Sequence, residues 1–116
     1  MNKVILMGNL TRDPEIRYGG QDNQKAIGRF TIAVNRKMGN EVDFFNCTCF
    51  DKKAEFAEKY LHKGSKVLIA GRIQLEAYTN REGQKVTGVQ VYPEDIEFAE
   101  KKEQAVPGID DNPFLT

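Results

Sequence analysis

From Lys66 to Tyr78 the chain alternates in character, with Val67, Ile69, Gly71, Ile73, Leu75 and Ala77 on one side and Arg72, Gln74, Glu76 and Tyr78 on the other. A period of two belongs to a β-strand, and a helix with its period of 3.6 cannot keep one face apolar under such a pattern. Ala26 to Asn35 repeats the theme: Ala26, Gly28, Phe30, Ile32 and Val34 point inward, Ile27, Arg29, Thr31, Ala33 and Asn35 outward. Two long strands with one apolar face each must share a core with other strands, so the chain is built from sheet.

The other elements fit around these two. Val4 to Leu10 reads as a first strand, but it is apolar on both faces, with Ile5 and Met7 opposite Val4, Leu6 and Leu10. In a small antiparallel domain a second apolar face points to burial against another subunit. A loop is expected from Arg12-Asp13-Pro14 through Gly19-Gly20 to Asn23, and Met38-Gly39-Asn40 supplies a turn into a third strand, Val42 to Phe50. Asp51 is placed to cap a helix over Lys52 to His62, with Ala54, Phe56, Ala57, Tyr60 and Leu61 as its apolar stripe and Gly64 to end it. Asn80-Arg81-Glu82-Gly83 turns the fourth strand into a fifth, Lys85 to Tyr92, with Phe98 as its farthest reach beyond Pro93.

Three strands, a helix and two strands is the order of an all-β, five-stranded Greek-key barrel with one helix between strands three and four, the OB-fold. The expected domain covers residues 1–99. Residues 100–116 carry no apolar period and read as a disordered acidic tail.

A chain of 116 residues supports one core of this kind, and no apolar run approaches the roughly 18 residues of a membrane span. Met1 to Gly8 is too short an apolar start for a secretory signal, so the expected location is the cytoplasm, at the nucleoid. Net charge is zero, but seven of the acidic residues lie from Glu94 onward against only Lys101 and Lys102, leaving residues 1–93 with 15 basic and 10 acidic side chains. A basic body with an acidic end suits a polyanion binder. Cys47 and Cys49, with His62 as the sole histidine, fall short of the ligands a structural zinc needs and read as a buried, reduced pair. With no phosphate loop, nucleophile motif or metal cluster, neither an enzyme nor a cofactor is expected.

Phe44 to Phe50 carries the binding signal. Phe45, Cys47 and Cys49 form its core side, whereas Phe44, Asn46, Thr48 and Phe50 set two rings around two small polar groups. Combined with the outward faces of the second and fourth strands, the surface holds Phe44, Phe50 and Tyr78 as rings, Arg29, Arg36 and Arg72 as cations, and Thr31, Asn46, Thr48 and Gln74 as hydrogen-bonding groups. Unpaired bases need a stacking partner and every base has a π-face, so such a surface takes single strands without regard to sequence. The same residues also fit an RNA-binding OB module or a protein-protein adaptor, and Phe50 alone fits a staple onto Phe56 or Tyr60.

Three motifs make the chain resemble the bacterial and phage single-stranded-DNA-binding proteins, a homotetrameric OB-fold family. They are Asn2 to Leu10 with Asp13-Pro14-Glu15-Ile16-Arg17-Tyr18, Tyr60-Leu61-His62-Lys63-Gly64-Ser65, and Gly83-Gln84. The resemblance implies stacking at Phe44, Phe50 and Tyr78, a strand-path cation at Lys52, a further stacking position occupied here by Met38, and a subunit interface through Lys3, Ile5 and Met7. Glu76 departs from the family's usual basic side chain. Asp110-Asp111-Asn112-Pro113-Phe114 is similar to the family's acidic tip, which docks replication and repair enzymes, with Asp110, Asp111, Pro113 and Phe114 as the docking residues. Leu115 and Thr116, which follow, depart from that tip.

Overall fold

The computed structural model describes residues 1–20 and 25–99. Its elements are β1 (Val4–Leu10), β2 (Glu15–Gly19), β3 (Lys25–Asn35), β4 (Val42–Phe50), α1 (Lys52–Tyr60), β5 (Lys66–Thr79) and β6 (Lys85–Phe98). β1 pairs with both β3 and β5; β5 pairs with β6, β6 with β4, and β4 with β3, so five strands close into a ring. Among the described residues only the β4–β6 contact is parallel, through Asn46↔Gln90 and Cys47↔Val91. This is the expected OB-fold, with the single helix between β4 and β5.

β2 corrects the expected loop. Glu15–Gly19 pairs along β3 from Arg29 to Lys25, outside the ring. Its only aliphatic side chain is Ile16, whose Cδ1 packs over Gly28, 3.0 Å from where a Cβ there would stand. One apolar contact in five residues leaves no period to read.

The inward residues of the five-strand ring meet as predicted, with Ile32, Val67, Ile69 and Val91 fully buried beside Cys47 and Cys49. Both cysteines are free, and burial pushes their thiols up, to about 12 for Cys47 and about 11 for Cys49. They stay protonated and unreactive at neutral pH. α1 seats Ala54 and Ala57 against β3 and β4.

Three further expectations need correction. Leu75 and Ala77, assigned inward, are exposed because the β5–β6 hairpin runs past the ring and leaves its own inner face uncovered. The helix ends at Tyr60, not His62, and Leu61 is already extended; Gly64, at φ +90°, serves the turn closed by Ser65 N–H to the His62 carbonyl. At the other end Asp51 makes no side-chain cap. It holds φ 55°, its N–H donates to the Ala26 carbonyl at 2.8 Å, and its carbonyl accepts from Glu55 N–H at 3.0 Å. A backbone turn from β4 into α1 has replaced the cap.

Asn2 extends β1 by side chain. Past the Val4↔Gly71 pair its Nδ2 donates to the Ile73 carbonyl at 2.6 Å, and its Oδ1 accepts from Ile73 N–H at 3.0 Å. Asn2→Ala removes both bonds and is expected to cost about 1–2 kcal/mol in urea denaturation. A loss below a few tenths would show that water replaces the pair without penalty.

Candidate nucleic-acid interface

The outward faces of β3, β4, β6 and β5 form one surface, in that order. Alternation alone sets the outward faces of the second, third and fourth predicted strands side by side. In the structure the last strand, β6, lies between β4 and β5 and brings Gly88, Gln90 and Tyr92 into the middle of the face. Registers set the rows: Ile27 opposite Phe50, Arg29 opposite Thr48, Thr31 opposite Asn46, Ala33 opposite Phe44, then Gln90 opposite Gln74 and Tyr92 opposite Arg72.

The three predicted rings are all open. Phe44 is 66% exposed, Tyr78 57% and Phe50 46%. Phe50 lies parallel to Tyr92, with centroids 6.2 Å apart and planes 7° apart, so it is no staple onto the helix; Phe56 instead packs against Tyr60 and Phe98. On Tyr92 the Arg72 guanidinium stands 4.7 Å from the ring centroid, close enough for a cation-π contact. The Tyr92 hydroxyl donates to Glu76 Oε2 at 2.7 Å, and this carboxylate is the main reason the phenol is harder to ionise than usual. Glu76, half-buried, therefore props a ring in place of offering a phosphate contact. Tyr92 was missed because its strand had no assigned outward partner; the cue was its place two residues beyond Gln90 on the same face.

Tyr78 depends on a glycine. A Cβ on Gly88 would sit 3.1 Å from Tyr78 Cε1, so the bare backbone of β6 gives the ring a surface to lie against. Between the two aromatic ends the face is polar. Thr31 Oγ1 donates to Asn46 Oδ1 at 2.8 Å, Thr48 Oγ1 to Gln90 Oε1 at 3.1 Å, and Arg72 Nη1 to Gln74 Oε1 at 3.0 Å. Thr48, expected on the open face, is on that face but buried, 9% exposed. A groove of about 500 Å³ runs here, lined among others by Arg12, Arg29, Asn46, Phe50 and Tyr92.

The remaining predicted residues separate into free and engaged. Arg29 is exposed and makes no ion pair among the described residues; Lys52 opens α1 on the surface, and Met38, 85% exposed, tips the β3–β4 hairpin. Arg36 is engaged: its Nε and Nη2 each lie 3.0 Å from Asp43, and Nη1 donates to Glu41. The guanidinium holds the Asp43 carboxyl below the usual carboxylate range, so the pair persists through neutral and mildly acidic pH. Replacing both Asp43→Asn and Glu41→Gln is expected to tighten oligothymidine binding and steepen its salt dependence by about 0.7 in the log-log slope, one phosphate contact. An unchanged slope would mean Arg36 never reaches the strand.

On the opposite side Lys3 Nζ bridges to Glu94 at 3.0 Å, while Ile5 and Met7 stand out with Leu68 beside them. Asp110, Asp111, Pro113 and Phe114 lie outside the described residues. Among the described residues no three His, Cys, Asp or Glu side chains gather to hold a metal, and no helix is long and apolar enough to cross a membrane.

An OB-fold with rings and cations on its open face defines a class, the oligonucleotide-binding modules. Within that class the chain belongs to the Single-strand binding protein family, whose model matches residues 1–99. It is similar to the Single-stranded DNA-binding protein of Halalkalibacterium halodurans, 44% identical over 107 residues that cover 88% of this chain and 62% of that protein. The protein of the same name from Fusobacterium nucleatum is 44% identical over 109 residues, covering 88% of this chain and 69% of the relative. Single-stranded DNA-binding protein A of Bacillus subtilis is 41% identical over 107 residues, covering 88% and 61%. The chain thus spans 61 to 69% of the length of these relatives.

Proposed function

We propose that this chain binds single-stranded DNA without sequence preference, holding bases on Phe44, Phe50, Tyr78 and Tyr92 and phosphates on Arg29, Arg72 and Lys52, and so shields strands opened in replication, recombination and repair. The observation that carries this reading is the set of open rings on a sheet face that also holds Arg29 and Arg72, neither of them in an ion pair among the described residues. A duplex, its bases already stacked, gains nothing from those rings. Membership of the Single-strand binding protein family supports the same reading. Met38 and the Thr31, Asn46, Thr48 and Gln74 groups complete the contact surface, and Arg36 joins it when released from its carboxylates. Residues 1–99 form the binding domain.

The assembly we propose is a homotetramer that uses Lys3, Ile5 and Met7, because 66% exposure at Ile5 and 50% at Met7 leaves an apolar strand face that water disfavours. Replication and repair enzymes would dock on Asp110, Asp111, Pro113 and Phe114. Titrating oligothymidine, oligouridine and a duplex across salt, with assembled mass recorded, tests the proposal. Tight, salt-dependent binding of the deoxy strand is expected. Preference for ribose would favour an RNA module, and no binding at all an adaptor.

A further inference from the structure

The β5–β6 hairpin leaves the ring with little support on its inner side. Among the described residues, β5 beyond Gly71 pairs with β6 alone, and β6 up to Val89 pairs with β5 alone. Leu75 and Val89, opposite each other on the inner face, are 65% and 41% exposed, so packing beneath does little to set the angle at which the two strands emerge. A two-stranded ribbon in water is marginal on its own. One side-chain tie crosses from ring to ribbon on the outer face. Tyr92 lies across from Arg72 at the rim of the ring, parallel to Phe50 of β4 and with the Arg72 guanidinium over its own ring. Its hydroxyl reaches past the Gln74↔Gln90 pair to Glu76 Oε2 at 2.7 Å. Tyr78, the next outward residue of β5, stands beyond that tie.

We infer that the Tyr92–Glu76 bond is a strap that fixes the angle of the hairpin against the ring, so that Tyr78 meets the same strand that Phe44 and Phe50 hold. The strap has this role only if the sheet face binds single strands as proposed above, and it couples the platform at Phe50 and Tyr92 to the one at Tyr78. A hairpin free to swing must be ordered when a base stacks on it, and that ordering offsets part of the stacking gain. Held in advance by the strap, Tyr78 delivers more of it. Glu76 and the Tyr92 hydroxyl are positioning residues for Tyr78, since they act through the course of the hairpin.

Tyr92→Phe keeps the ring, and with it the contacts to Phe50 and Arg72, and removes only the hydroxyl. Oligothymidine affinity of the full chain, measured for Tyr78→Ala alone and combined with Tyr92→Phe, tests the strap. In the Tyr92→Phe background the loss caused by Tyr78→Ala is expected to shrink by about 3- to 10-fold, the scale of one net hydrogen bond. The loss caused by Phe44→Ala should be the same in both backgrounds, whereas a general weakening of the fold would alter both losses. Glu76→Gln keeps an acceptor for the hydroxyl and Glu76→Ala does not, and the two remove the same charge from the face. The Gln variant should therefore bind about 3- to 10-fold more tightly than the Ala variant. Equal losses at Tyr78 in the two backgrounds, an equal shrinkage at Phe44, or equal affinity of the two Glu76 variants would overturn the strap while leaving single-strand binding intact. Failure of the parent to bind oligothymidine at all would overturn both readings.

Discussion

Phe44→Ala and Tyr78→Ala are each expected to weaken oligothymidine binding by about 5- to 150-fold, with no change in melting temperature. The range follows from the roughly 1–3 kcal/mol by which a base stacks on an aromatic side chain. Melting is spared because both rings are more exposed than buried, 66% and 57%, so neither contributes much to the core. Phe50→Ala differs in kind. It removes a base platform and also the parallel partner of Tyr92, leaving Arg72 and Glu76 to hold that ring alone. Its loss in affinity should therefore exceed that of either exposed ring. Unchanged affinity in both Phe44→Ala and Tyr78→Ala would remove the sheet face as the binding surface.

Gly71→Ala is expected to cost about 3 kcal/mol or more of folding stability, the upper end for an overpacked site. A Cβ on Gly71 would stand 2.2 Å from the Tyr92 carbonyl oxygen and 2.9 Å from Pro93 Cα, and neither can swing aside as a side chain would. Relief requires β5 and β6 to separate at the register shift between Ala70 and Gly71. Up to Gly71 the strand pairs with both β1 and β6, and beyond it the strand runs out with β6 as the hairpin that carries Gln74 and Tyr78. The variant should thus lose binding as well as stability, since Tyr92 lies directly across from Arg72. A Gly71→Ala protein with parental melting would mean that the strands yield without loss.

Elements with a clean period were legible in the sequence. Ala26–Ile32 and Val67–Gly71 bury the residues their alternation assigns, Val34 and Ile73 stay half-buried, and Phe44, Phe50 and Tyr78 stand on the face where alternation put them. Alternation carries no information on where a barrel ends, however, so Leu75 and Ala77 continue the pattern into a hairpin that has nothing to pack against. Nor does it set strand order. Because β6 returns to pair in parallel with β4, Gln90 and Tyr92 enter the centre of the face through a contact between strands far apart in the chain. Local charge pairing was equally out of reach: Arg36 reads as a free cation until the β3–β4 hairpin folds it onto Asp43 and Glu41.

The most direct test is nuclear magnetic resonance of the ring protons during titration with oligothymidine. Ring currents of stacked bases should shift the signals of Phe44, Phe50, Tyr78 and Tyr92, while Ile5 and Met7 on the other side of the fold show no comparable shift. Shifts confined to Ile5, Met7 and their surroundings, with the four rings unmoved, would contradict the account.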